Sequence, residues 1–171
     1  MTREYASQYE ILEAIRDRLR SQVTDFSTAT TCFISDTPNP VRVPSADAFC
    51  VVSVGDGQFN DSHFAGGGQY TCTEDALVQV TVYLQHTSDE TDRLQQGLLS
   101  SDYGIIRVYK QAILKALLVS WEPTDGSGNE LLRSQLSPVS ATTPTVVEAS
   151  GGMDFITFTL TFRTEFDWDL S

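Results

Sequence analysis

The stretch Asp154 to Asp169, DFITFTLTFRTEFDWD, constrains the fold more than any other. Strand side chains alternate between two faces with a period of two. Ile156, Phe158, Leu160, Phe162, Phe166 and Trp168 fall on one face, and only Thr164 interrupts that apolar row. Thr157, Thr159, Thr161, Arg163, Glu165 and Asp167 fall on the other, after one apolar exception at Phe155. Threonine and phenylalanine favour strands, and no glycine or proline breaks the run. Such a strand far exceeds the usual length and would cross the whole subunit. With one apolar and one polar face it belongs to an antiparallel or mixed sheet that something apolar covers on one side.

Two segments supply that cover. Ser7 to Val23 carries Leu12, Ile15, Leu19 and Val23 at three- and four-residue steps with Ile11 beside them, the period of an amphipathic helix. Glu10 and Glu13 lie early in it and Arg16, Arg18 and Arg20 late, which complements the helix dipole. Tyr103 to Ser120 is the main helix. Ile105, Ile106, Tyr109, Ala112, Ile113, Ala116 and Leu117 form a broad apolar face, and Arg107, Lys110, Gln111 and Lys115 a narrow polar stripe. A helix so widely apolar is expected to lie on the sheet and be flanked again, by another subunit among the options. Arg93 to Leu99 reads as a further short helix.

Further strands are expected at Cys32 to Ile34, Phe49 to Val54, Ala76 to Gln85 and Thr145 to Glu148. The three prolines of Asp36 to Pro44 make an extended loop. Gly55-Asp56-Gly57 is a turn signal. The segment after it, QFNDSHFAGGGQY, spaces Phe59, Phe64 and Tyr70 around three glycines and reads as a mobile hairpin or arm. Thr124 to Asn129 is a flexible turn, Leu131 to Leu136 a short strand or turn, and Ser137 to Gly152 otherwise a loop. The order helix, strands, helix, strands lacks β-α-β alternation. The expected fold is therefore α+β, one domain over residues 1–171. Its sheet is mostly antiparallel with a long C-terminal strand, covered on one side by the N-terminal helix and the main central helix.

The charge is −12, from 23 acids and 11 bases. That balance argues against general affinity for nucleic acid or anionic membrane. It is also uneven: Asp36 to Asp92 holds nine acids and one base, Arg42, whereas the helical regions carry most of the bases. A basic face of one copy meeting an acidic face of the next would suit that distribution. The N-terminus is polar and charged, unlike a signal peptide, and no apolar run reaches the length of a membrane span. Cys32, Cys50 and Cys72 lack any zinc-ligand spacing and read as small buried or half-buried apolar residues. These features describe a soluble intracellular product without structural disulfides.

Catalytic signals are weak. The histidines are His63 and His86. His63 with Asn60 and Asp61 lacks a rigid frame for a metal, and His86 beside Asp89 and Glu90 reads as a solvated turn residue. Gly66-Gly67-Gly68 is followed by no Lys-Ser/Thr pair, so it is no phosphate loop. No GxSxG or HExxH occurs. No catalytic, cofactor-binding or metal residue is assigned, and no cofactor or enzymatic activity is expected.

The succession of YEILEAIRDRLRSQV, FCVVSV, the glycine-rich hairpin, ALVQVTVYLQH, SDETD, DRLQQGLLSSDYGIIRVYKQAILKALL and FITFTLTFRTEFDWDL resembles the tail terminator proteins of long-tailed bacteriophages. The resemblance spans nearly the whole chain and is one of order and pattern. It implies an α+β structural virion protein that forms a hexameric ring and caps the finished tail tube. The ring joins the tube to the neck of the DNA-filled head and lets DNA pass without specific binding. Partners would be further copies of the chain, the tail tube protein and a neck or head-completion protein. The location would be the tail and neck of the virion, after assembly in the host bacterial cytoplasm. Candidate assembly residues are Phe59, Phe64, Tyr70, Arg107, Lys110 and Lys115. Candidate acids facing the channel are Asp56, Asp61, Asp89, Glu90 and Asp125. Alternatives are another phage neck or tail-completion protein, a small acidic enzyme built around His63 or His86, and a monomeric module for a cationic partner.

Overall fold

A computed structural model of the chain describes residues 8–37, 44–65, 69–86, 102–124, 128, 130–131, 135–149 and 153–169. They form an α+β fold of a six-stranded mixed sheet and two helices, α1 (Gln8–Gln22) and α2 (Asp102–Leu118). The strands are β1 (Cys32–Ile34), β2 (Ala48–Ala65), β3 (Gln69–His86), β4 (Ser137–Ala141), β5 (Thr145–Ala149) and β6 (Met153–Asp169). Their order in the sheet is β1-β2-β3-β6-β4, with β5 also on β6. Only the β1–β2 pair is parallel; the other named pairs are antiparallel.

The periodicities of both helices become one apolar core. Ile11, Leu12, Ile15 and Leu19 of α1 and Ile106, Ile113, Ala116 and Leu117 of α2 are buried in it. They share it with Val78, Val80 and Val82 of β3 and Ile156, Phe158, Leu160 and Phe162 of β6. Two arginines of α1 fasten the helix to its neighbours. Arg18 Nε donates to the Ala116 carbonyl at 3.0 Å, near the C-terminus of α2, and Arg20 Nε donates to the Cys32 carbonyl of β1 at 3.0 Å. The first of these satisfies a carbonyl near a helix end. α2 stops at Leu118; Ser120 then takes a left-handed conformation (φ 50°), and buried Pro123 follows, a common way to end a helix.

The opposite face of the sheet is not simply polar. Phe49, Val51, Tyr83 and Phe155 are buried there, with Phe33 packed against them. The rings of Phe49 and Tyr83 are parallel at 4.7 Å, and Phe155 meets Phe49 edge-on at 5.5 Å. Further along the same face, Thr81 Oγ1 and Thr159 Oγ1 lie 2.9 Å apart. Ser53, Thr81 and Thr161 are buried as well.

Several expectations need correction. Gly55-Asp56-Gly57 does not turn the chain: β2 runs through it with a bulge between Val54 and Gly57. Glycine within a strand marks a bulge as readily as a turn. The strands expected at Phe49 to Val54 and Ala76 to Gln85 are therefore two 18-residue strands of one long hairpin. Part of the expected loop from Ser137 is strand β4, which pairs with β6 from Ser137↔Arg163 to Ala141↔Leu160. Its Pro138 is tolerated because β4 lies at an edge. Thr124 and Glu130 form a bridge, and Leu131 and Leu136 are buried; most of the turn expected at Thr124 to Asn129 lies outside the described residues. The expected helix at Arg93 to Leu99 lies outside the described residues.

Candidate assembly interface

β2, β3 and β6 continue past the helix-packed core as a three-stranded ribbon. Register gives its faces. Cys72↔Trp168, Glu74↔Phe166 and Ala76↔Thr164 are partners on β3 and β6, as are Thr71↔Asp169, Thr73↔Asp167 and Asp75↔Glu165. The first set continues the face that carries Val78 and Phe162; the second continues the face that carries Tyr83 and Phe155. On β2, two register shifts, between Val54 and Gly57 and between Asn60 and His63, change which residues share a face. Phe59 then pairs with Glu74 and Phe64 with Tyr70. Phe59, Phe64, Tyr70, Phe166 and Trp168 thus hold positions on one face. Asp75, Glu165, Asp167 and Asp169 hold positions on the other. Simple alternation along β2 would separate Phe59 from Phe64, so the shift between Asn60 and His63 brings these two expected contact residues to a common face.

The ribbon is acidic. Its segments 55–65, 69–76 and 164–169 hold seven acids, Asp56, Asp61, Glu74, Asp75, Glu165, Asp167 and Asp169, and no lysine or arginine. Of the expected channel acids, Asp56 is exposed at the first bulge and Asp61 lies on β2 at the second shift. Asp89, Glu90 and Asp125 lie outside the described residues. At the root of the ribbon Glu74 is buried, and its Oε2 accepts a hydrogen bond from Gln8 Nε2 at 3.3 Å. Arg163 Nε, where core and ribbon meet, stands 3.6 Å from Asp75 Oδ1.

The bases are disposed differently. Arg16 pairs with Asp17 and Glu13, and Arg18 and Arg20 hold backbone carbonyls. Lys110 is half-buried with Nζ over the Phe158 ring, 5.3 Å from its centroid, so it serves the subunit's own packing. Arg107 and Lys115 are exposed and, among the described residues, meet no acid, carbonyl or ring. Gln111 lies between them, and beside them on α2 and just past its end Val108, Leu118 and Val119 are 63%, 36% and 53% exposed. The sequence reading missed these three aliphatic residues, although their spacing follows the same helical period as the polar stripe. It also missed the exposed edge formed by β4 and β5, where Val139, Val146 and Val147 face solvent.

Chemistry of other kinds has little to work with here. Among the described residues no group of three or more His, Cys, Asp and Glu could hold a metal. Cys32 and Cys50, both free and buried as expected, are partners across β1 and β2. Burial pushes the Cys50 thiol well above its usual range, and the neighbouring Cys32 adds to the rise, which disfavours the nucleophilic thiolate. Among the described residues no helix is long and apolar enough to cross a membrane. No known family model and no curated protein sequence matches this chain.

Proposed function

We propose that the chain is a ring-forming structural protein of a bacteriophage tail, the terminator that caps the tail tube and joins it to the neck. The observation that carries this reading is the pairing of unlike surfaces on one subunit. The strands β2, β3 and β6 continue as an acidic ribbon with aromatic positions on one face, and a basic, aliphatic stripe lies exposed on α2. A subunit with two different complementary surfaces associates head to tail, and head-to-tail contacts close into rings when the rotation permits. In this reading α1 and α2 cover one side of the sheet and β6 spans the subunit. Phe59, Phe64 and Tyr70 meet the tail tube protein. Asp56 and Asp61, with Asp89, Glu90 and Asp125, keep the channel acidic so that DNA slides through without adhering.

The test combines solution mass by light scattering over a concentration series, negative-stain imaging, and incubation with polymerised tail tube protein. A closed ring of about six copies, the number the tail terminator resemblance implies, or selective binding to tube ends, supports the reading. A protein that stays monomeric and ignores tube ends overturns it.

A further inference from the structure

We infer that the exposed stripe of α2, Arg107, Val108, Gln111, Lys115, Leu118 and Val119, is the docking surface for the acidic ribbon of a second copy of this chain. The inference rests on the ring reading and names the surfaces that would close it. Three observations point to this occupant. First, among the described residues Arg107 and Lys115 are exposed without a partner, whereas each other described base engages an acid, a carbonyl or a ring. Second, a complementary row exists on the same chain: Glu165, Asp167 and Asp169 hold positions on one face of a ribbon whose segments carry no lysine or arginine. Among the described residues, Arg107 and Lys115 of α2 contact none of the ribbon's acids, so the match is available to another molecule. Third, the spacings agree. Eight residues of helix separate Arg107 from Lys115 by about 12 Å, and four residues of strand separate Glu165 from Asp169 by about 13 Å.

The aliphatic members matter as much as the charges. Val108, Leu118 and Val119 give the stripe apolar area that a solvated basic face would not need, and burying it supplies affinity while the charges set register and partner. The same composition disfavours DNA as the occupant. Two positive charges on a chain of net charge −12 are a poor phosphate-binding surface.

The experiment uses the full-length protein in two charge-reversed forms, Arg107→Glu/Lys115→Glu in the helix and Glu165→Lys/Asp169→Lys in the ribbon. Each is checked for a native circular dichroism spectrum, with the neutral pairs Arg107→Gln/Lys115→Gln and Glu165→Gln/Asp169→Gln in reserve should a reversal unfold the chain. Each reversed form alone is expected to self-associate at least tenfold more weakly than the parent by light scattering. An equimolar mixture is expected to regain the parent's mass, because reversed helix then meets reversed ribbon. With the neutral pairs the expected result is the same weakening of each form alone. Undiminished assembly of each single form, or no recovery on mixing reversed forms, overturns the inference while a ring in the parent leaves the ring reading standing. A parent that is monomeric in solution and at tube ends overturns both.

Discussion

Gly57 of β2 lies against Glu74 of β3: a Cβ built on Gly57 would stand 2.8 Å from the Glu74 Cδ and 2.9 Å from its Cγ. Glu74 cannot easily swing aside, because it is buried and held by Gln8 at 3.3 Å. Glycine at the edge of the Val54/Gly57 bulge therefore lets a carboxylate sit at the root of the ribbon where a side chain would exclude it. Gly57→Ala is expected to lower stability by about 1–3 kcal/mol, the usual range for overpacking. Urea denaturation of Gly57→Ala, Glu74→Ala and the double variant checks this. The double variant should lose less than the sum of the two; strict additivity would mean that the close approach has no energetic weight.

Thr164 is the one residue that interrupts the apolar row of β6. It is 1% exposed, and among the described residues its Oγ1 has no hydrogen-bond partner. A buried hydroxyl left unpaired costs folding free energy, and its removal without loss of shape relieves that cost. Thr164→Val is expected to raise the urea midpoint, by an amount equivalent to about 1 kcal/mol. A drop of that size would show that the hydroxyl is satisfied in solution. Ser53 Oγ, buried on the other face and unpaired among the described residues, makes Ser53→Ala a second instance with the same expected sign.

The broken edge of the sheet offers a narrower test. Between β4 and β5, Thr142 keeps hold of β6 twice: its amide donates to the Thr159 carbonyl at 2.9 Å, and its Oγ1 accepts from the Thr159 amide at 2.9 Å. The side chain thus takes the place of a ladder carbonyl where the edge strand breaks ahead of Pro144. Thr142→Val keeps the shape and removes the acceptor. Because Thr142 is exposed, water replaces part of the bond, and the expected loss is about 0.5–1 kcal/mol, with Thr142→Ser recovering most of it. Faster hydrogen exchange at the Thr159 amide in Thr142→Val would locate the effect; unchanged exchange would contradict it.

These cases mark where the sequence was legible. The helical periods of Leu12, Ile15 and Leu19 and of Ile106, Ile113 and Leu117 each reach the same core. The two-residue period of β6 likewise puts Ile156, Phe158, Leu160 and Phe162 together. Local patterns of this kind suffice when one face is buried. The second face was hidden because its members are scattered: Phe33, Phe49, Tyr83 and Phe155 come from four strands, and only strand order and register unite them. The same limit applied to the candidate site. Phe59 and Phe64 differ in parity, and the register shift between Asn60 and His63 is what places them on one face.

That second face is where a large effect is expected. Phe49 is fully buried, stacked on Tyr83 at 4.7 Å and met edge-on by Phe155 at 5.5 Å. Phe49→Ala removes these ring contacts and the stack on Phe33 and leaves a cavity, and the expected loss is about 3–5 kcal/mol. Phe49→Leu should cost distinctly less because it retains much of the volume. Equal losses in the two variants would show that filling the cavity contributes little beside the aromatic contacts.

Alkaline pH tests the contact between α2 and the turn after α1. Tyr109 stacks on Phe26 at 5.5 Å, and its hydroxyl donates to Asp25 Oδ2 at 2.5 Å. Burial raises the Tyr109 phenol above its ordinary range, and the hydrogen bond and negative charge of Asp25 raise it further. An unfolded tyrosine releases its proton near pH 10, whereas the folded protein retains it beyond that point. Above about pH 10 the folded state therefore binds more protons than the unfolded state, and stability must fall as pH rises; below that range the contribution is fully present. Tyr83, raised by burial, acts in the same direction and remains in a Tyr109 variant. Tyr109→Phe keeps the stack and loses the bond to Asp25. It is expected to be less stable at pH 8 by about 0.5–1.5 kcal/mol and to lose stability less steeply with increasing pH. Urea midpoints at half-unit steps from pH 8 to 11 measure both quantities. Parallel curves for the parent and Tyr109→Phe would mean that the Tyr109 proton is not linked to folding.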